Sequence, residues 1–443
     1  MNALTTKSIA RQRWLIILPV TFIMYTISFF DRANMGMALP HITRELALTP
    51  VQAGLLGAAF AWGYAITQIG GGIIALLVNP RRLIAISLML FGGAALATGL
   101  ARTLDELIIC RILLGLAEGP LYATVALFLA QWFMKSERGR AFGIWNLAIP
   151  AGGFLAGPIS GAILAHYDWR IMMIVEGLPA WIFCVIWLIA IPKNLESARW
   201  LSQQDRVTIR KNLAEEQATH QKTEKDPWWS VLTEPTVWLL TAGFALNGIL
   251  MYGMTLWLPT IMHTYGKLSE VSIGFFSGLP FIASMLGIFY ITRRSDKHGQ
   301  ERRLHAAIPT ALTGVMMIAA ALIPIQLYYL QIILFVAVGF TLKMINPLIF
   351  AWITEILPTR KAIPAVAIVS GVGNLIGQSA GPLLVGYVKS HSSDYVSSLL
   401  VLAVCAILGG VAIACAGGKE RRQSRADATA LPAGNAAHGG LRR

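Results

Sequence analysis

The chain has 443 residues, of which 56% are hydrophobic and only 13% charged, with a net charge of +14 and a mean hydropathy of +0.61. That balance excludes a water-soluble domain and points to a polytopic membrane protein. The positive charge does not imply nucleic acid, because the basic residues sort by loop instead of gathering in one patch.

Uncharged apolar runs of spanning length recur along the chain. They predict an all-α membrane protein of twelve transmembrane helices in two six-helix bundles. The first six run over 14–38, 51–77, 83–101, 106–131, 141–165 and 170–191. The second six run over 236–262, 272–293, 305–323, 327–354, 362–388 and 395–416, with Pro324 splitting one long uncharged run into two spans. The predicted domains are an N-terminal bundle over 1–191, a cytoplasmic central loop over 192–235, a C-terminal bundle over 236–416 and a disordered cytoplasmic tail over 417–443. Internal similarity supports the halving. Gly153 and Gly157-Pro158 recur as Gly377 and Gly381-Pro382 at an offset of 224, and Arg81-Arg82 recur as Arg302-Arg303 at an offset of 221. Glycines at every fourth position, Gly153, Gly157, Gly161 and Gly373, Gly377, Gly381, make smooth stripes for close helix approach, either static or sliding.

Loops on one side hold 28 of the 36 Lys and Arg, the other side holds Arg44, Arg102, Arg170, Lys267 and Lys389, and three lie inside spans. The excess of positive charge predicts a multi-pass protein of a bacterial-type inner membrane with both termini cytoplasmic. Lys7, Arg11 and Arg13 precede the first apolar run as in a secretory signal, but no small-residue cleavage site follows, so this segment reads as a retained span. Cys110, Cys184, Cys405 and Cys415 all fall within spans, which predicts packing and not a disulfide framework. The eight histidines show no ligand spacing, and no phosphate-cradling glycine loop precedes a strand. Neither a metal, a cofactor, an enzyme nor an ATP-driven pump is therefore expected, and the energy would come from an ion gradient.

The spans nevertheless contain Asp31, Arg32, Arg111 and Glu118. Charge at that depth is unfavourable by roughly 3 kcal/mol per group, so it marks a functional site by default. Arg111 and Glu118, seven residues apart, differ by about 20° and about 10 Å on one helix face, whereas the adjacent Asp31 and Arg32 diverge by about 100°. Arginine keeps its charge and offers a fork matched to carboxylates, which makes Arg111, with Arg32 second, the expected clamp for an anion. Asp31 and Glu118, whose charge state responds to desolvation and neighbouring arginines, are the expected proton-coupling groups. The bland alternative is a static salt-bridge set joining the first and fourth helices. Lys343 sits mid-span about 18 Å from Glu355, and two readings are open: contact with a second anionic group, or pairing with backbone carbonyls and water. Tyr64 with Gln68, and Asn374 with Gln378, lie one turn apart and can each present polar groups to one side. Tyr25, Asn34, Asn146, Asn247, Tyr252 and Trp352 are weaker candidates, and Glu176, six residues past Arg170, is assigned to structural pairing near the outer surface.

These residues resemble the major facilitator superfamily, and more narrowly its anion:cation symporter branch of phthalate, hexuronate and sugar-acid permeases related to sialin. The resemblance rests on Ser28-Phe29-Phe30-Asp31-Arg32-Ala33-Asn34, Arg111 with Glu118-Gly119, and Ser295-Asp296-Lys297-His298-Gly299 followed by Glu301-Arg302-Arg303. Asp168-Trp169-Arg170 with Glu176-Gly177-Leu178-Pro179, Ser197-Ala198-Arg199-Trp200-Leu201, Tyr252-Gly253 with Trp257-Leu258-Pro259, and Gly373-Asn374 extend it along almost the whole chain. It implies that Tyr64 and Asn374 face a central cavity and that Asp296, Arg302 and Arg303 serve in gating. Leu76 and Leu77 stand where the superfamily usually has an Asp-Arg pair, and Ile149 where several sugar-acid permeases carry a polar residue. The expectation is a monomeric importer of a small organic anion (a sugar acid, dicarboxylate or aromatic carboxylate) driven by proton symport through alternating access, with protons, the anion and the bilayer as its partners. An organic anion exchanger or exporter is the alternative within transport. A non-transporting sensor would call for an added soluble signalling domain, and none is found in the sequence.

Overall fold

A computed structural model describes residues 3–220, 228–298 and 301–416; the expected tail over 417–443 lies outside the described residues. The described residues form sixteen α-helices and no strand. The first half comprises α1 (Ala3–Glu45), α2 (Pro50–Leu77), α3 (Pro80–Leu100), α4 (Leu104–Glu118), α5 (Leu121–Trp132), α6 (Lys135–Asn146), α7 (Ala148–Leu164) and α8 (Trp169–Ala190). After α9 (Gln203–His220) in the central loop, the second half comprises α10 (Pro235–His263), α11 (Glu270–Lys297), α12 (Arg303–Leu322), α13 (Tyr328–Leu342), α14 (Ile345–Ile356), α15 (Thr359–Ser390) and α16 (Val396–Cys415).

Among the described residues, eleven stretches are long and apolar enough to cross a membrane. The 28-residue α2, without a single Asp, Glu, Lys or Arg, brings the spans to twelve. The first span is longer than the expected 14–38, running over Gln12–Glu45, because Ala38, Leu39 and Ile42 continue its buried face without a break. Three expected single helices are broken in two. The fourth span breaks at Gly119-Pro120, where proline lacks the N–H that would continue the helix ladder. The fifth breaks at Leu147 and the tenth at Lys343-Met344.

Within the first half α2 packs on α4, α3 on α8 and α1 on α7; within the second, α10 packs on α15, α12 on α16 and α11 on α13. The halves meet through α7 on α11, α2 on α15 and α1 on α10. Glycine permits these contacts: a Cβ on Gly157 would lie 2.0 Å from the Gly274 carbonyl oxygen, and one on Gly386 2.2 Å from that of Pro50. Gly36 against Thr255 and Gly54 against Pro382 belong to the same set. All of them sit toward the end of the bundle that carries loops 46–49, 165–168, 264–269 and 391–395, so the two halves are shut at that end. The two glycine stripes therefore differ in setting. Gly153, Gly157 and Gly161 face α11 across the halves, whereas Gly373, Gly377 and Gly381 face α10 within the second half.

Candidate transport site

The close approach of α2 and α4 builds one wall of the site. A Cβ on Gly63 would lie 2.0 Å from the Ile112 carbonyl oxygen, and one on Gly115 2.2 Å from that of Phe60, so glycine alone allows this spacing. Phe60 and Tyr64 of α2 are thereby set against Arg111 and Glu118 of α4. From α1, Arg32 donates Nε–H to Glu118 Oε2 at 2.7 Å and lies 4.5 Å from the Tyr64 ring centroid. The guanidinium carbons of Arg32 and Arg111 stand 5.1 and 5.2 Å from one ring, that of Phe60.

Arg111 is only 4% exposed, its Nε is buried without a hydrogen-bond partner, and it forms no ion pair within 4 Å among the described residues. Its environment is thus a π-face and the more distant field of carboxylates. A desolvated cation–π contact contributes about 2 kcal/mol. Burying an ion is unfavourable by several kcal/mol, so the guanidinium retains a large demand for an anion.

Asp31, also on α1, points away from Arg32 as the helix geometry requires. Asn34 Nδ2 donates to Asp31 Oδ1 at 3.0 Å and to Glu176 Oε2 at 2.9 Å, and Ser160 Oγ donates to Glu176 Oε1 at 2.7 Å. Two buried carboxylates therefore share a single amide. This corrects the assignment of Glu176 to outer-surface pairing. Six residues along a helix turn by about 240°, so Glu176 and Arg170 face different ways. Arg170 pairs with Glu45 at 2.6 Å, and Trp169 Nε1 donates to the same carboxylate. The signal for Glu176 was present in the sequence, since an intramembrane carboxylate is a site candidate by itself.

In the second half Lys343 is not mid-helix, as expected, but caps α13 at the break in the tenth span. The broken ladder is met from α10, where Asn247 Nδ2 donates to the Leu342 carbonyl oxygen at 3.1 Å. Lys343 is buried, its ammonium group has no hydrogen bond or ion pair among the described residues, and its Nζ lies 5.0 and 5.5 Å from the ring centroids of Phe29 and Phe281. Phe29 also lies 5.8 Å from the Arg32 guanidinium, so one ring from α1 stands between cations of the two halves. Of its two open readings, pairing with carbonyls is not what the geometry displays. Its neighbours Leu342 and Phe281, with Met254 and Ser277 among others, line a cavity of about 30 Å³. That is room for one or two waters.

The remaining expected residues fall into satellite groups. Gln378 Nε2 donates to the Tyr252 hydroxyl at 3.0 Å, and that hydroxyl donates to Asn374 Oδ1 at 3.5 Å. Gln68 presents a buried Oε1 without a hydrogen-bond partner. Tyr25 is packed in rings, 4.9 Å from Trp145 and 6.0 Å from Tyr122 between centroids. Asn146 accepts from the Tyr122 hydroxyl at 3.3 Å. Trp352 is buried in the core of the second half.

The expected gating residues tie helix ends together inside the second half. Arg302 donates to Asp296 Oδ1 at 2.7 Å, to Ser295 Oγ at 3.0 Å and to Glu355 Oε1 at 3.1 Å, linking α11, α12 and α14. Burial disfavours its charge, but the hydrogen bonds to Asp296 and Glu355 outweigh this and hold its pKa above the ordinary arginine range. Arg303 reaches the Ala414 carbonyl oxygen at 3.5 Å. Burial likewise raises the Glu301 carboxyl, yet hydrogen bonds from the Leu304 and His305 backbone and the His305 ring hold it below the usual carboxylate range.

Comparison with known proteins covers nearly the whole chain. The family profile described as Major Facilitator Superfamily matches residues 21–362 and 268–436. A quinolone resistance transporter of Acinetobacter baumannii is 25% identical over 91% of this chain and 93% of its own length. A putative tartrate transporter of Agrobacterium vitis is 26% identical over 93% of this chain and 95% of its own. The crystal structure of a bacterial homolog of the human lysosomal transporter Spinster, in an inward-facing and unoccupied conformation, superposes with a TM-score of 0.70 at 16% identity, covering 91% of this chain and 98% of that one. With the helix order, the twelve spans and the two-half architecture described above, these matches establish that the chain belongs to the Major Facilitator Superfamily, as a multi-pass membrane transporter and not an enzyme.

Proposed function

We propose that the chain imports a small organic anion by proton symport through alternating access, in a bacterial inner membrane with both termini cytoplasmic. The observation that carries this reading is Arg111, a buried guanidinium with neither hydrogen bond nor ion pair among the described residues, which shares the Phe60 ring with Arg32, while Arg32 in turn shares the Phe29 ring with Lys343, whose ammonium is likewise unpaired among them. Arg32 is neutralised by Glu118, so the cations left over are Arg111 and Lys343, one from each half. A dianionic substrate satisfies both, and the name of the Agrobacterium vitis relative, a tartrate transporter, is in line with that chemistry. Tyr64, Gln68, Asn374, Gln378 and Tyr25 are proposed to line the path.

Asp31 and Glu118 are proposed to carry the coupling proton, with Glu176 added to them, because Asp31 and Glu176 compete for one amide and a proton shared between them relieves the repulsion. The residues of the Asp296, Arg302 and Arg303 cluster are proposed to hold helix ends during the rocking of the two domains, 1–191 and 236–416, about the central loop. A second reading, anion exchange or export, draws for export on the quinolone resistance transporter. Proteoliposome uptake of labelled tartrate under an imposed pH step separates the two. Acid-outside accumulation that collapses with a protonophore supports symport import. Accumulation that depends only on internal tartrate, regardless of pH, overturns proton coupling in favour of exchange.

A further inference from the structure

At the shut end, three side chains from three helices converge. They are His41 of α1 in the first half and His263 of α10 and Glu270 of α11 in the second. Their ligating atoms lie within 4.8 Å of one another, the one such trio of His, Cys, Asp or Glu among the described residues. His41 Nε2 stands 3.4 Å from Glu270 Oε1, and His263 Nε2 stands 3.3 Å from Glu270 Oε2. These separations exceed the N–H···O optimum of about 2.9 Å. Each is close to the distance of about 3.3 Å between two ligands that stand about 2.05 Å from a tetrahedral zinc ion, but the two run to different oxygens of Glu270, so the carboxylate must turn to bring one oxygen and both imidazoles, now within 4.8 Å of one another, onto a single ion. A second observation agrees: His41 Nε2, His263 Nε2 and Glu270 Oε2 are all buried without a hydrogen-bond partner. The side chains are each 22% exposed, so an ion can reach them from the shut end.

We propose that His41, His263 and Glu270 form a binding site for a zinc-class divalent cation that bridges the two halves and latches this end closed. Two imidazoles and one carboxylate favour zinc and its borderline neighbours over magnesium or calcium, which take oxygen ligands in larger number. Three protein ligands leave the fourth position to water. Because the first half supplies one ligand and the second half two, the complete site exists only while this end is shut. Zinc therefore stabilises the shut conformation by mass action and opposes the opening that a transport cycle needs. The proposal does not rest on the identity of the carried substrate.

The test uses the purified full-length protein in detergent, titrated with zinc chloride and, as control, magnesium chloride, reading bound metal per chain and the thermal midpoint. The expected result is one zinc per chain, a raised midpoint with zinc and no response to magnesium. His41→Gln and His263→Gln should each weaken zinc binding by about tenfold or more, while their midpoints without zinc stay near wild type and report intact folding. Loss in both variants is required, since one lies in each half. Zinc binding that survives either substitution unchanged, or no zinc bound at all, overturns the site. A midpoint that rises on mild acidification but ignores zinc assigns the trio to a protonated His–carboxylate pair and likewise overturns it.

Discussion

Arg111 carries the proposed substrate contact because its charge is fixed and its neighbours leave it unmatched. Substituting Arg111 with lysine keeps the charge but removes the planar fork, so carboxylate affinity should fall by about tenfold or more, and alanine should abolish binding. Equilibrium binding of tartrate to purified protein checks both, and wild-type affinity in the alanine variant would remove Arg111 from the site. Glu176→Gln tests the shared-amide arrangement. The variant should retain exchange of labelled for unlabelled substrate but lose pH-driven accumulation. A loss of both activities together with a lowered thermal midpoint would mean that Glu176 only packs.

At this scale the sequence was legible where a residue's chemistry is independent of its neighbours. Charge in an apolar run located Asp31, Arg32, Arg111 and Glu118, all of which converge on one region. It also displayed Glu176, which nearness in sequence to Arg170 disguised. Helix rotation, not distance along the chain, decides which groups meet. Phe29, Phe60 and Phe281 were illegible as site residues, because an aromatic side chain in a membrane helix is ordinary until a cation is found over its face.

Two of the spans that carry the site are broken. Glu118 ends α4 and Lys343 caps α13, and these two positions lie 225 residues apart, one more than the 224-residue repeat of Gly153 and Gly377. Corresponding spans of the two halves are thus both interrupted at an ionisable side chain, the arrangement by which a helix pair frees polar groups at mid-membrane. Pro120 announces the first break in the sequence. Nothing in Leu342-Lys343-Met344 announces the second, which depends on a hydrogen bond from another helix, Asn247 Nδ2 to the Leu342 carbonyl. Asn247→Leu removes that donor and leaves a buried carbonyl unsatisfied. It should lower stability by about 1–3 kcal/mol, read as a lower unfolding midpoint in detergent. An unchanged midpoint would show that water replaces the amide.

Across the whole molecule, the halves are held shut at one end by backbone contact through glycines, so the opening step should be sensitive to a single methyl group. The glycine repeat was visible in the sequence, but not which stripe faces which partner. That depends on the angular placement of whole helices, which fourfold spacing alone does not encode. Gly157 is the sharpest case, with a built Cβ 2.0 Å from a backbone oxygen that cannot swing aside. Gly157→Ala must therefore push α7 from α11 at the shut end and favour the opposite state. Ser277 of α11, buried with its Oγ 3.8 Å from Met37 Sδ of α1 across the junction of the two halves, reports their separation. With Cys110, Cys184, Cys405 and Cys415 replaced, Ser277→Cys should react slowly with a membrane-impermeant maleimide, and adding Gly157→Ala should speed the reaction. A shift of 1–2 kcal/mol in the balance of states corresponds to a labelling rate about five- to thirtyfold faster. An unchanged rate would mean that the glycine contact does not limit opening and that the seal lies elsewhere, in α1 against α10 or in α2 against α15.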